Sequence, residues 1–112
     1  MIWPKSWEAQ LFAGHAGDIW LVSNFKMDVD KSRQDPKQAR HFFRMNKDEA
    51  VEKKTGEWNK YRITCKLDTV KVEINGKLVN EGKNAELQKG KILLQSEGAP
   101  IHFRNIKLAR IR

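Results

Sequence analysis

An all-β fold, antiparallel strands arranged as a sandwich or barrel, is what this sequence predicts. Three observations carry the all-β part of that expectation. Apolar and polar residues alternate over short runs, with Tyr61, Ile63 and Cys65 set against Arg62, Thr64 and Lys66. Turn signals separate these runs, led by Asn75-Gly76 between two apolar stretches. No stretch sustains the period of an amphipathic helix.

The elements follow in order. Trp7, Ala9 and Leu11 alternate with Glu8 and Gln10, which predicts a strand through residues 7–12. Gly14 and Gly17 bracket a turn, and the apolar run Ile19-Trp20-Leu21-Val22 predicts a strand buried on both faces. Residues 26–55 are polar and read as a long loop with one short strand near residues 39–44, around Phe42-Phe43. From residue 57 on the pattern is strongly β. Tyr61–Lys66 is one strand. Val70, Val72 and Ile74 mark the next, and Asn75-Gly76 supplies the two left-handed positions of a tight hairpin returning through Leu78-Val79. Residues 91–95 and 101–111 predict two further strands, the last with a bulge at Arg104-Asn105 where its inward parity shifts.

A chain of 112 residues suits one domain, residues 1–112, with a single core. A hydrophobic share of 39% and four Trp exclude a disordered polymer. No apolar run is long enough for a membrane helix, and the N-terminus lacks the build of a signal peptide. Lys and Arg outnumber Asp and Glu by 22 to 14, a net charge of +8. The cations alternate with apolar residues in the strand regions, the pattern of a solvated sheet face, so no nucleic-acid partner is expected. Cys65, the single cysteine, excludes an intrachain disulfide and reads as a small core residue in line with Tyr61 and Ile63.

Glu8 and Gln10 are the foremost site candidates. Their i, i+2 spacing puts a carboxylate and an amide on one sheet face, a pair suited to gripping sugar hydroxyls, with the carboxylate also able to move protons. The plain alternative is two polar residues on a wet outer face. His15 and Asp18, three residues apart, belong to the same turn and could contribute to a site loop. Trp20 offers a ring that could stack on a pyranose, although its apolar run also suits the core. Trp58 raises the same choice. Asp18, Glu57 and Glu97 are candidates for a second carboxylate. His41 and His102 read as solvated, and three scattered histidines assign no metal ligand set. The cofactor remains unknown, with a divalent metal left open.

Five segments together carry a resemblance. WPKSWEAQLFAGHAGDIWLV, GEWNKY, INGKLVNE, GKILLQSEGAPI and FRNIKL, in this order, resemble the 3-keto-disaccharide hydrolase domain family, long known as a domain of unknown function. The resemblance runs from Trp3 to Leu108 and is to the C-terminal half of that domain. It implies a concanavalin-like jelly roll, an antiparallel β-sandwich of two curved sheets, with a carbohydrate site on the concave sheet face lined by Glu8 and Gln10, and exported or periplasmic bacterial relatives. It also implies an N-terminally truncated sandwich, and from that a homodimer in which a second copy completes the fold. Where the family pattern has Asn, this chain has His15.

In a 3-keto glycoside the ketone acidifies the C2 proton, so a positioned base starts an elimination of the C1 substituent. Glu8 is the expected base, its pKa raised by partial burial, with Gln10, His15, Asp18, Trp20 and Glu57 binding substrate. The reading is therefore a carbohydrate-active domain that cleaves or binds a 3-keto glycoside. Its alternatives are a non-catalytic carbohydrate-binding or scaffold module, and a polyanion-binding β domain.

Overall fold

In the computed structural model, which describes residues 3–86 and 90–111, eight strands make two four-stranded antiparallel sheets. The strands are β1 (Ser6–Ala9), β2 (Ile19–Val22), β3 (Asp28–Val29), β4 (Gln34–Asp35), β5 (Gln38–Phe42), β6 (Tyr61–Lys66), β7 (Thr69–Ile74) and β8 (Lys77–Lys83). One sheet has the order β1-β2-β5-β4 and the other β3-β8-β7-β6. A 3-10 turn, Lys31–Arg33, is capped by the Asp30 carboxylate, which accepts the Ser32 N–H at 2.9 Å. Among the described residues no helix is long and apolar enough to cross a membrane.

The two sheets are joined by the inward half of each alternation. Ile19 and Phe42, paired across β2 and β5, pack with Phe25, Met27, Val29 and Val70. Ala16, Val51, Val72, Ile74 and Val79 form a second cluster, and Trp7 on β1 touches both. Each such aliphatic side chain contributes about 1.5–3 kcal/mol by leaving water. The hairpin between β7 and β8 turns at Asn75 and Gly76, with φ of 51° and 83°, the left-handed pair that this dipeptide predicts.

A register shift between Val72 and Glu73 pairs them with Asn80 and Leu78 and leaves Val79 as the extra residue of β8. Consecutive Val79 and Asn80 therefore both face inward, at 1% and 0% exposure. That bulge puts an amide in the interior beneath the β1–β2 connection.

The structure corrects several expectations. The polar stretch from residue 26 to 55 contains the expected short strand, as β5, and also β3, β4 and the 3-10 turn. Cys65 is exposed and Ile63 is 48% exposed, because β6 is the outermost strand of its sheet and nothing among the described residues covers that end. Residues 91–95 and 101–111 carry strand-like alternation yet form no strand, since their backbone finds no partner strand among the described residues. Their apolar side chains stay exposed, Ile92 at 72% and Leu108 at 84%. Arg104 does not brace a strand bulge. Its guanidinium lies over the Trp58 ring, 3.9 Å from the centroid.

Candidate functional site

The site grows from the connection between β1 and β2. Two backbone bonds extend the hairpin beyond its strands: Gln10 N–H donates to Asp18 O, and Gly17 N–H donates to Gln10 O, both at 2.9 Å. Inside them His15 N–H donates to Phe12 O at 2.8 Å and Asp18 N–H to His15 O at 3.1 Å. Gly17 has φ +92°, and a Cβ there would lie 2.6 Å from Val79 Cγ2, so glycine is required on both counts.

Three elements of the fold hold this connection in place. Tyr61 at the start of β6 donates its hydroxyl to Gln10 O, and burial pushes its pKa well above the ordinary value. Asn80, turned inward by the β8 bulge, donates to Gly17 O at 3.0 Å while its Oδ1 accepts from Arg33 at 3.1 Å. Arg44 is buried just past β5. Its Nη1 donates to Ala16 O at 3.0 Å and to Glu52 Oε2 at 3.1 Å, and Glu52 in turn accepts the Gly14 N–H. The loop is thus pinned from several directions, by neutral bonds from Tyr61 and Asn80 and by charge-assisted ones through Arg44 and Glu52.

The pinned loop delivers Asp18 to the centre. Its Oδ1 accepts the backbone N–H of Arg44 at 2.8 Å. Its Oδ2 faces two imidazoles, His41 Nε2 at 2.7 Å and His15 Nδ1 at 3.1 Å. The other ring nitrogen of His41, Nδ1, faces Asp35 Oδ2 at 3.0 Å. Asp35 is set by its own Asx turn, its Oδ1 accepting Lys37 N–H at 2.8 Å. That backbone bond, with the His41 bond second, holds the Asp35 carboxyl below its usual pKa. Asp18 and His41 are 1% and 6% exposed, whereas the His15 side chain is 47% exposed.

Across the outer face of the sheet the strand register places Glu8 opposite Trp20 and Trp20 opposite His41, so the three form a row over β1, β2 and β5. Trp20 stacks on His41, and Phe43 meets His41 edge-on with centroids 4.8 Å apart. Gln10, Phe12, His15, Trp20 and His41 line a cavity of about 270 Å³. Trp20 Nε1 is buried with no hydrogen-bond partner among the described residues. Glu8 is half-buried, and its pKa is raised first by desolvation and then by Glu97, with Arg40 opposing.

The structure therefore brings Glu8, Gln10, His15, Asp18 and Trp20 to one place. Glu57 lies elsewhere, in the exposed Lys54–Glu57 turn, where its carboxylate accepts the Lys54 N–H at 3.2 Å. His41, read from sequence as solvated, is the buried hub of the cluster. Asp35, Arg44 and Asn80 were also missed. Their polar neighbourhoods look solvated in one dimension, and only the Asp35-Pro36 turn signal and the Phe42-Phe43 island hinted at a folded element there.

A two-sheet antiparallel sandwich with a carboxylate, an indole and a histidine–aspartate cluster in a row on one sheet defines an all-β domain with a polar site on a sheet face. The sequence pattern of the 3-keto-alpha-glucoside-1,2-lyase-like domain matches residues 2–109, and the chain belongs to that family. No curated protein and no solved structure gives a significant match.

Proposed function

We propose that this domain is a carbohydrate-acting sandwich that eliminates the C1 substituent of a 3-keto glycoside, with Glu8 as the base. The observation that carries the reading is the row Glu8–Trp20–His41. Two strand spacings, ~10 Å, separate the first from the last. His41 takes one face of the Trp20 indole, and β1 with Glu8 lies on the other side. A sugar seated there has an apolar ring face against the indole and its C2 edge toward the carboxylate.

In the elimination, Glu8 takes the C2 proton that the 3-ketone has acidified. The C–H electron pair becomes the C1–C2 double bond, and the C1–O pair leaves with the aglycone, which takes a proton from solvent. No water is consumed, as a 1,2-lyase requires. Partial burial favours this role, since it lifts the Glu8 pKa toward working pH. Gln10 and the unpaired Trp20 N–H supply donors for hydroxyls at the cavity wall.

The test is incubation of a 3-keto disaccharide and its parent disaccharide with the wild type and Glu8→Gln. Turnover of the keto sugar alone, lost in Glu8→Gln while binding persists, supports the reading. Binding without turnover in either protein would make the domain a non-catalytic carbohydrate-binding module.

A homodimer belongs to the same proposal. Ile63 and Leu67, the latter 84% exposed, and the apolar residues from 92 to 108 lie uncovered, and β6 ends its sheet with an open edge. A second copy covering β6 would slow maleimide labelling of the exposed Cys65 as protein concentration rises. Concentration-independent labelling and a monodisperse monomer in sedimentation would overturn it.

A further inference from the structure

We infer that His15, Asp18 and His41 bind one divalent cation of the zinc class at the floor of the cavity. Each residue offers one ligand atom, and the three atoms lie within 4.8 Å of one another. Two imidazole nitrogens and one carboxylate oxygen are a borderline donor set, suited to zinc or cobalt ahead of magnesium or calcium.

Three features point to a cation beyond mere proximity. Asp18 Oδ2 is the shared acceptor of both imidazoles, so a metal ion in place of the two shared protons meets the same three atoms. Asp35 then does what a carboxylate behind a ligating histidine does. By accepting from His41 Nδ1 at 3.0 Å it fixes the ring so that Nε2, once its shared proton is displaced, would offer its lone pair to the ion. Arg44 N–H on Asp18 Oδ1 plays the same part for the carboxylate. Finally, the set is open on one side. His15 and His41 both line the cavity, and three protein ligands with a free position are the arrangement of a catalytic metal, not of a closed structural one. His15, at 47% side-chain exposure, can turn to close the last of the distance.

The substrate ligand of that free position rests on the proposed function: a sugar lying over Trp20 with C2 toward Glu8 directs its 3-ketone toward this end of the row. A cation there would polarise the carbonyl and stabilise the enolate formed when C2 loses its proton. The binding site itself does not depend on that reading.

The experiment uses the full chain, stripped with a chelator and titrated with Zn²⁺ by calorimetry and with Co²⁺ by visible absorption. The expected result is one equivalent bound with Kd on the order of 1 μM or tighter, cobalt d–d bands of a low-coordinate N/O site, and a Tm that rises with zinc. His15→Ala and Asp35→Asn each weaken zinc roughly 10- to 100-fold, whereas the exposed His102→Ala leaves it unchanged. Because His15 is largely solvated, its variant keeps the test valid even if Asp18 or His41 variants do not fold. Absence of saturable binding, or binding indifferent to both His15→Ala and Asp35→Asn, overturns the inference. Zinc binding without turnover of the keto sugar refutes the functional reading and leaves the metal site standing. Chelator-resistant turnover with no bound zinc does the reverse.

Discussion

The indole of Trp20 lies flat against the imidazole of His41, ring centroids 4.3 Å apart and planes 10° from parallel. The pair is a direct cross-strand contact between β2 and β5, and it does two things at once. It shields one side of a buried imidazole whose nitrogens are both engaged with carboxylates, and it aligns the ring so that those bonds fall at 2.7 and 3.0 Å. Packing and polar geometry are therefore coupled at this position. Trp20→Ala is expected to cost about 2 kcal/mol of stability, from lost area plus the aromatic pair, read in urea unfolding. With a functional substrate it raises KM more than Trp20→Phe, which keeps a ring on His41. A Trp20→Ala protein with wild-type stability and KM would show that the stack matters to neither.

Arg44 is the second position where removal of one group strands several others. Its guanidinium serves Ala16 O, Glu52, Lys47 O and Glu49 O from a site only 5% exposed on the side chain. Arg44→Met keeps volume but leaves those acceptors unmet, and loss of one partner of a buried pair costs about 3–5 kcal/mol. Glu52→Gln removes less, because the amide oxygen can still accept the Gly14 N–H. The measurement is the difference in urea midpoint between the two variants. Equal, small shifts would mean that Arg44 is not the strut of the β1–β2 connection.

What the sequence made legible here is local, and what it hid is long-range. The β6–β7–β8 run was readable because period-two alternation and Asn75-Gly76 are properties of neighbouring residues. The closeness of His15 and Asp18, three residues apart in one turn, was readable for the same reason. His41 was not. Its burial depends on Asp18 twenty-three positions earlier, on Trp20 across a strand pair, and on an Asx turn at Asp35. Cys65 and residues 91–111 failed in the opposite direction. Alternation announces a strand's faces, but a partner strand and a covering layer must come from elsewhere in the fold, and among the described residues none does.

Gly17 tests how tightly the site loop is held. At φ +92°, with Val79 Cγ2 2.6 Å from where a Cβ would sit, Gly17→Ala meets backbone strain and an overpacked interior together. The expected loss is about 2–4 kcal/mol. Gly14, also at positive φ but with open space around it, is the control: Gly14→Ala meets the strain alone and loses less. Comparable losses at the two glycines would mean that the contact with Val79 relaxes without cost, and that the loop is less firmly seated on β8 than its bonds to Asn80 imply.

Glu8 gives a pH dependence whose sign is fixed. Desolvation, then Glu97, raise its pKa above the ordinary 4.5, and Arg40 pulls it back. The sign follows from proton counting. Between 4.5 and the raised folded value the native chain holds a proton that the unfolded chain has released, so stability falls as pH rises through that window. The contribution of the protonated form is fully present below 4.5 and gone above the folded pKa, where the ionised carboxylate remains at a standing cost. Glu8→Gln should therefore raise Tm at pH 7 and change it little at pH 4. As a base, Glu8 gives kcat/KM a rising limb whose midpoint is the same folded pKa. Glu97→Gln removes a repelling charge and moves the limb to lower pH, while Arg40→Gln removes an attracting one and moves it to higher pH. Opposite shifts from these two substitutions, neither of which touches the cavity wall, identify Glu8 as the titrating group. A limb that ignores both assigns the base to another residue.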